Sequence, residues 1–176
     1  YYSDGMRALA ASECARRALS GGFTTIRHVG WFREDYVLDV RRAIDAGFLT
    51  GARMVAAPHF LCAPGSHGDS TQPLATNPAL SRFLETQYPT MGSGPDFFRD
   101  AVRHEVKIGA DFIKIMATGG FFTPNDSPED RQLADDELRA IIDTAHALNR
   151  TVTAHAYTAE LITTLAEMGI DGIEHA

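Results

Sequence analysis

Three side chains that could bind a metal ion lie at corresponding places in three consecutive β-rich segments. Lys114 lies inside an apolar run, and His155 and His175 each fall at the C-terminal end of a predicted strand. Neutral imidazole is a common ligand of zinc and its neighbours among the transition metals. Neighbouring parallel strands lie ~4.8 Å apart, so side chains at the same edge of a sheet can bind one metal ion together. A single strand-end histidine is more often structural, but the set of three favours a metal site.

Lys114 stands where burial of its amine is expected. The chain has 14 arginines but only two lysines, Lys107 and Lys114. Residues two apart in a strand share a face, so Lys114 points the same way as Phe112 and Met116. Burial lowers the pKa of an amine, and a neutral amine reacts with carbon dioxide to give a carbamate with two oxygens that can bridge two cations. On position alone, an unmodified lysine that reaches the strand end or pairs with a carboxylate is favoured.

Alternating β-rich runs and amphipathic helices must position these residues, which is the pattern of parallel βαβ units. Helical spacing is followed by stop glycines at Gly21 and Gly47, and Asp96 is predicted to cap a helix that Gly109 ends. Two more helices are predicted in the last third of the chain. The predicted strands are 24–29, 53–57, 111–116, 151–156 and 172–175.

Two long irregular segments follow predicted strands. The stretches 58–95 and 117–133 are rich in glycine and proline, and both are far longer than the usual ~2–6 residue connection. In barrels of parallel strands, the loops that follow strands build the active site. The long segments are therefore expected on the catalytic side. A doubly wound sheet would suit the length, but neither G-x-G-x-x-G nor a Walker motif occurs.

Composition indicates one soluble globular domain. The chain has 176 residues, of which 44% are apolar and 22% charged. A net charge of -7 argues against nucleic acid or an anionic membrane as the main partner. Two cysteines, Cys14 and Cys62, are too few for a disulfide framework. Since no membrane span or signal peptide is visible either, a cytoplasmic location is expected.

Several motifs together resemble the amidohydrolase superfamily, in particular its imidazolonepropionase-like and Xaa-Pro dipeptidase branch. The resemblance covers nearly the whole chain and implies an α/β fold that is part of a (β/α)8 TIM-type barrel, with parallel strands alternating with helices. Residues 1–176 would then belong to one metal-dependent hydrolase domain and supply strands two to six. The motifs are GFTTIR (22–27), GSHGD (65–69), GADFIKIMATGG (109–120), AHAYT (154–158) and GIEH (172–175), which resemble the second strand, the loop after the third strand, the carboxylated-lysine strand, and the fifth and sixth strands.

The resemblance also implies roles for individual residues. Lys114 would be carboxylated and bridge two divalent metal ions, taken to be zinc, while His155 and His175 bind one of them. Two metal ions held in this way polarise a substrate carbonyl and lower the pKa of a water molecule that bridges them. Tyr157 and His67 would contact a small amide or dipeptide substrate. A rim aromatic and an exposed loop histidine remain open as the alternative interpretations of these two residues.

Two departures from the family pattern matter. Relatives carry an H-x-H motif on the first strand and an aspartate on the eighth, and this chain contains no H-x-H. Both elements are expected to lie outside it, so the chain alone is expected to be inactive and to associate as a homo-oligomer or through open sheet edges. His28 stands where the branch usually has aspartate; a plain substitution is favoured over a residue that orients a metal ligand.

The function expected from these observations is metal-dependent hydrolysis of C–N amide bonds in peptide-like or N-acyl amino acid substrates. One alternative is a non-catalytic metal-binding or structural barrel fragment with an unmodified lysine. Dependence of metal uptake on carbon dioxide separates the two. A further alternative is a barrel isomerase or lyase in which Lys114 forms a Schiff base, which borohydride would trap.

Overall fold

The computed structural model describes residues 2–31, 34–72, 76–123 and 125–176, in which helices alternate with parallel strands. All five predicted strands are present. Within these ranges, no helix is long and apolar enough to cross a membrane. The elements are α1 Asp4–Ser20, β1 Thr25–Val29, α2 Tyr36–Asp45, β2 Arg53–Ala57, β3 Phe60–Leu61, α3 Pro78–Glu85, α4 Pro95–Ile108, β4 Phe112–Met116, α5 Asp135–Ala147, β5 Thr151–His155, α6 Ala159–Glu167 and β6 Gly172–Glu174.

The strands follow one another in space in the order in which they occur along the chain. β1 pairs with β2, and β3, β4, β5 and β6 pair in that order, each pair being parallel. β2 belongs to the two-stranded sheet and β3 to the four-stranded sheet, and only residues 58–59 separate them. Asp111 joins β2 to the start of β4, because its N–H donates to the Ala56 carbonyl and its carboxylate accepts from the Ala56 N–H, both at 2.8 Å. This order, with helices between strands, is that of part of a (β/α)8 barrel.

The strand register assigns side chains to the two faces of the sheet. Lys114 is aligned with Phe60 and Thr153, and Met116 is aligned with His155. Aligned residues share a face, so these side chains line the inner face, and Lys114 and Met116 lie on the same face, as the sequence predicted. The alternate residues of β4 face the helices and are fully buried there.

Two apolar cores hold the strands in place. The smaller core packs α1 and α2 on β1 and β2. The larger core packs α4, α5 and α6 on the outer face of β4 and β5, and burial of each large side chain in it contributes about 1.5–3 kcal/mol. The strands that carry Lys114 and His155 therefore have the strongest support. Fully buried members of the larger core include Leu61, Phe98, Val102, Ile113, Ile115, Leu138, Ile141, Val152 and Leu165.

A buried ion pair closes the interruption between β2 and β3. His59 Nδ1 lies 2.9 Å from Glu105 Oε1, and the His59 N–H donates to Glu105 Oε2 at 3.3 Å. Burial alone would lower the pKa of His59, but the bond to Glu105 and the charge of this carboxylate raise it overall. Gly30 packs against the backbone between β2 and β3 and has a φ of 87°. A Cβ at this position would lie 2.7 Å from the backbone atoms of His59 and Phe60, so only glycine fits.

The structure corrects two predictions. The stretch 58–95 is not wholly irregular, since it contains β3 and also α3, which begins at Pro78 and is capped by the Asn77 side chain. Residues 73–75 of this stretch lie outside the described residues. Asp96 does not cap α4: the N-cap is Gly94, and Asp96 lies in the first turn. The physical reason is Pro95, whose fixed φ and missing N–H suit the first helical position.

We expect the isolated chain to self-associate or aggregate. Among the described residues, β1 and β6 are the outermost strands of the arrangement, and each presents unpaired backbone donors and acceptors to another chain. Sedimentation velocity at several concentrations measures this association. A monodisperse monomer with a cooperative thermal transition would contradict the prediction.

We expect Glu105→Gln to lower the free energy of unfolding by about 1–3 kcal/mol and to weaken its pH dependence. The pKa of His59 is raised from 6.5 in the folded protein, so the folded state keeps a proton that the unfolded state releases above that pH. The stabilisation by the pair is complete below pH ~6.5 and is lost as the pH rises through the raised pKa. Asp35 and Glu34 also favour the charged ring.

Urea unfolding of a protein that includes the flanking barrel strands, at about pH 5.5 and about pH 9, measures both effects. The difference between wild type and Glu105→Gln should shrink at the higher pH. Asp100→Asn is the matched control, because it removes an exposed carboxylate of the same helix that is paired with Arg103. If the two proteins differed equally in their free energy of unfolding at both pH values, the proposed role of the ion pair would be wrong.

Candidate metal centre

The amine of Lys114 is buried on the inner face of β4. The residue is 1% exposed, and Nζ donates to the Ile115 carbonyl at 3.0 Å and lies 3.5 Å from Met116 Sδ. Burial lowers the pKa of Lys114 to about 7, with a smaller opposing effect from Glu174. A large fraction of this amine is therefore neutral near neutral pH, which is the form that reacts with carbon dioxide.

His155 follows Lys114 on the next strand and is also buried. Its Nε2 lies 2.9 Å from the Gly119 carbonyl oxygen. Because a carbonyl oxygen only accepts, Nε2 carries the proton and Nδ1 carries the lone pair. Burial lowers the pKa of His155 to about 4, and the nearby Lys114 adds to this effect. His155 is thus a neutral imidazole with one nitrogen available to a cation.

His175 reaches the same place through an unusual backbone conformation. Its ring centroid lies 4.8 Å from that of His155, while its neighbour Glu174 accepts a bond from Thr153 Oγ1 at 2.9 Å. In a regular strand, adjacent residues face opposite sides. His175 has a φ of 79°, a left-handed conformation that is uncommon outside glycine and turns its ring toward the site. Burial and the charge of Lys114 lower the pKa of His175.

His67 comes to the site from the loop after β3. Its ring stacks on His155 at 4.5 Å between centroids, and its Nδ1 lies 3.1 Å from Asp126 Oδ2. The backbone N–H of His67 donates to Gln132 Oε1 at 2.9 Å. Gly120 makes room for the ring, since a Cβ there would lie 2.2 Å from His67 Cε1. His67 is therefore enclosed at the site rather than exposed.

Tyr157 and Phe121 form an aromatic wall beside the histidines. The Tyr157 ring lies 4.9 Å from His155 and 5.7 Å from His175, and Phe121 packs edge-on against Tyr157 at 5.2 Å. Phe121 and Phe122 are exposed, the latter by 94%. Tyr157 thus lies directly against both rings, and an apolar rim continues from it toward solvent.

A polar group on the inner face was missed from the sequence. Arg27 lies 3.0 Å from Glu174 Oε1 and 4.7 Å above the Phe112 ring. Both charges act on Lys114, where Glu174 raises the pKa and Arg27 lowers it. Strand alternation hides Glu174, because the same rule that places His175 at the site would place its neighbour on the other face. Asp126, in an irregular loop, had no periodic signal at all.

His28 lies away from these residues. It alternates with the inward-facing Arg27 along β1, its neighbour Ile26 packs in the smaller core, and its Nε2 lies 2.9 Å from Glu34 Oε2. His28 therefore belongs to the side that faces the helices, and no contact connects it with Lys114 among the described residues.

The structure thus brings together the five residues predicted from the sequence and leaves His28 apart. Within the described ranges, no three His, Cys, Asp or Glu side chains form a cluster that could hold a metal ion. Of the proposed metal ligands, one amine and two imidazoles converge, and the His67 ring is stacked on one of these imidazoles. The five residues are Lys114, His155, His175, His67 and Tyr157.

Known proteins share this arrangement of strands. Ochratoxinase of Aspergillus niger is 29% identical over 189 residues, which cover 99% of this chain and 38% of that protein. The crystal structure of a Xaa-Pro dipeptidase with methionine bound in its active site matches with a TM-score of 0.87 and 31% identity, covering 100% of this chain and 42% of that one. A prolidase complexed with N-methylphosphonate-L-proline matches at 0.79 and 31%, covering 99% and 42%.

This chain therefore spans between 38% and 42% of the length of these relatives. Its strands correspond to part of their barrels, which agrees with the parallel strand order described above. The sequence matches the amidohydrolase family over residues 3–176, nearly its full length. Because that match takes in every strand and both long loops, the chain belongs to the amidohydrolase family.

Proposed function

We propose that this chain supplies barrel strands two to six of one metal-dependent hydrolase domain that cleaves C–N amide bonds in peptide-like or N-acyl amino acid substrates. The observation that carries the proposal is a buried lysine amine beside two neutral imidazoles at the same end of consecutive strands. The similarity to a Xaa-Pro dipeptidase and an ochratoxinase supports it.

The donor chemistry of these residues fits a divalent metal ion, for which zinc is our first candidate. His155 offers the lone pair of Nδ1, because Nε2 is engaged by Gly119. The Lys114 amine can add to carbon dioxide with release of a proton, which gives an anionic carbamate with two oxygens for two ions. When bound, such ions would polarise a substrate carbonyl and lower the pKa of water.

The remaining residues are proposed to hold the substrate. His67 and Tyr157 contact the His155 ring in two different ways, one stacked and one edge-on. A substrate amide that reaches the ligands would pass these two side chains. The exposed rings of Phe121 and Phe122 extend the apolar surface outward, which suits an apolar acyl group or side chain.

We expect Lys114 to carry a carboxyl group in the complete protein. Carbon NMR after exchange with labelled bicarbonate should show a carbamate signal, and Lys114→Met should abolish it. Lys107→Met is the matched control, since it removes the other lysine from the exposed side of α4, and it should retain the signal. Electron density for a bare amine beside bound metal would contradict the prediction, and borohydride trapping at Lys114 would favour the Schiff-base alternative.

We expect His155→Ala and His175→Ala to abolish amide hydrolysis by the complete protein and to lower its metal content. Loss of a metal-activated nucleophile costs more than the ~10²–10⁴-fold that acid–base help supplies. The isolated chain should bind at most one zinc tightly and show little turnover. His104→Ala, on α4, is the matched control and should keep metal and activity.

Metal analysis beside turnover on a panel of dipeptides and N-acyl amino acids makes this measurement. Two bound metals with robust turnover in the isolated chain would rule out the proposed division of ligands. A complete protein that is inactive on every amide would rule out the function.

A further inference from the structure

We propose that Asp126 is a positioning residue, which fixes the tautomer and the ring orientation of His67 so that Nε2 is the ring nitrogen available to the substrate. This inference rests on the proposed function, because it gives His67 a task at the same site. It concerns a residue of the loop after β4 that acts on a residue of the loop after β3, 59 positions away in the sequence.

The Asp126 carboxylate is buried at the junction of these two loops. Its side chain is 2% exposed, and Oδ2 lies 3.1 Å from His67 Nδ1 and accepts from the Gly120 N–H at 3.1 Å. Gln132 Nε2 donates to the same oxygen at 3.4 Å. Oδ1 has no donor among the described residues. The carboxylate is therefore shielded from water, and its partners are one imidazole, one backbone N–H and one side-chain amide.

The hydrogen bonds around His67 assign its proton. Thr123 Oγ1 donates to the His67 carbonyl at 3.1 Å and lies 2.9 Å from Nδ1. A hydroxyl has a single hydrogen, so while it donates to the His67 carbonyl this oxygen can only accept from Nδ1. Asp126 Oδ2 faces the same nitrogen and can only accept. Two acceptors at Nδ1 require a proton there, and in the neutral ring this leaves the lone pair on Nε2.

The ring is also held in one orientation. His155 covers one face at 4.5 Å, and the Gly120 backbone lies so close to the ring that no Cβ would fit. Gln132 holds the backbone N–H of His67. With these contacts in place, a half-turn flip of the ring would put Cδ2 in the place of Nδ1 and leave the buried carboxylate facing a carbon atom.

A purely structural role for Asp126 would not need a charge. An asparagine could accept the Gly120 N–H equally well without burying a carboxylate, which is costly unless the charge is paired. An amide would, however, be able to donate to Nδ1 and so favour the other tautomer. The negative charge of Asp126 distinguishes a residue that fixes His67 from one that only joins two loops. Partners of this kind on metal-binding histidines are typically worth about 10–100-fold in activity, and we expect a similar effect here.

Nitrogen-15 NMR of histidines in the zinc-loaded complete protein tests the tautomer without any substrate. The His67 signals, identified by their loss in His67→Asn, should show the proton on Nδ1 in the wild type and on Nε2 in Asp126→Asn. Asp130→Asn is the matched control, because its carboxylate accepts from the Ser127 N–H of the same loop at 2.8 Å without touching His67. It should leave the tautomer unchanged.

Kinetics on the best amide substrate supply the second readout. Asp126→Asn should lower kcat by about 10–100-fold while KM changes by less than about threefold, and should cause no further loss in the His67→Asn background. An unchanged tautomer, an equal loss in the His67→Asn background, or an equal loss in Asp130→Asn would each overturn the proposal. If no amide is hydrolysed, the proposed function fails, and the NMR result still decides whether Asp126 fixes His67.

Discussion

The burial of the Lys114 amine is the constraint on which the rest of the site depends. Its pKa falls from 10.5 to about 7, which corresponds to about 5 kcal/mol in favour of the neutral form. The larger apolar core packs helices against the outer face of the same strand, and its burial offsets the free energy lost when the amine is taken out of water. A surface lysine would remain an ammonium, and an ammonium is neither a metal ligand nor reactive toward carbon dioxide.

The histidines around Lys114 depend on the same low-dielectric surroundings. His155 is neutral because burial disfavours its charged form, and the neighbouring amine works in the same direction. The paired Arg27 and Glu174 lie on the inner face as well, and their opposite effects on the pKa of Lys114 partly cancel. The site therefore concentrates nitrogen donors whose protonated forms are disfavoured by burial, and these neutral donors could instead bind a metal cation.

The two long loops complete the site by meeting over the ends of the strands. His67 from one loop lies between His155 and the backbone of Gly120 from the other loop. Asp126 ties them together through a bond that spans 59 positions. The proposed metal ligands lie on β4, β5 and the end of β6, while the residues proposed to contact a substrate lie mainly on loops, which tolerate variation more easily than strands.

Local rules of the chain were enough to predict the strands, the shared face of Lys114 and Met116, and the strand-end places of His155 and His175. Alternation with a period of two and the common edge of parallel strands are properties of the backbone, and they hold wherever such a segment is buried. The helix within 58–95 was missed because the glycine, proline and serine content of the whole stretch masked the start signal at Asn77 and Pro78.

Only the tertiary structure decided how the loops and the end of β6 meet these strands. The left-handed conformation of His175 places two adjacent residues at one site, against the alternation that a strand pattern predicts. The contact of Asp126 with His67 depends on the path of two irregular segments, which is set by bonds between them and not by periodicity within either. A sequence pattern encodes the direction of a side chain only where the backbone is regular, so the places of Glu174 and Asp126 followed only from the folded chain.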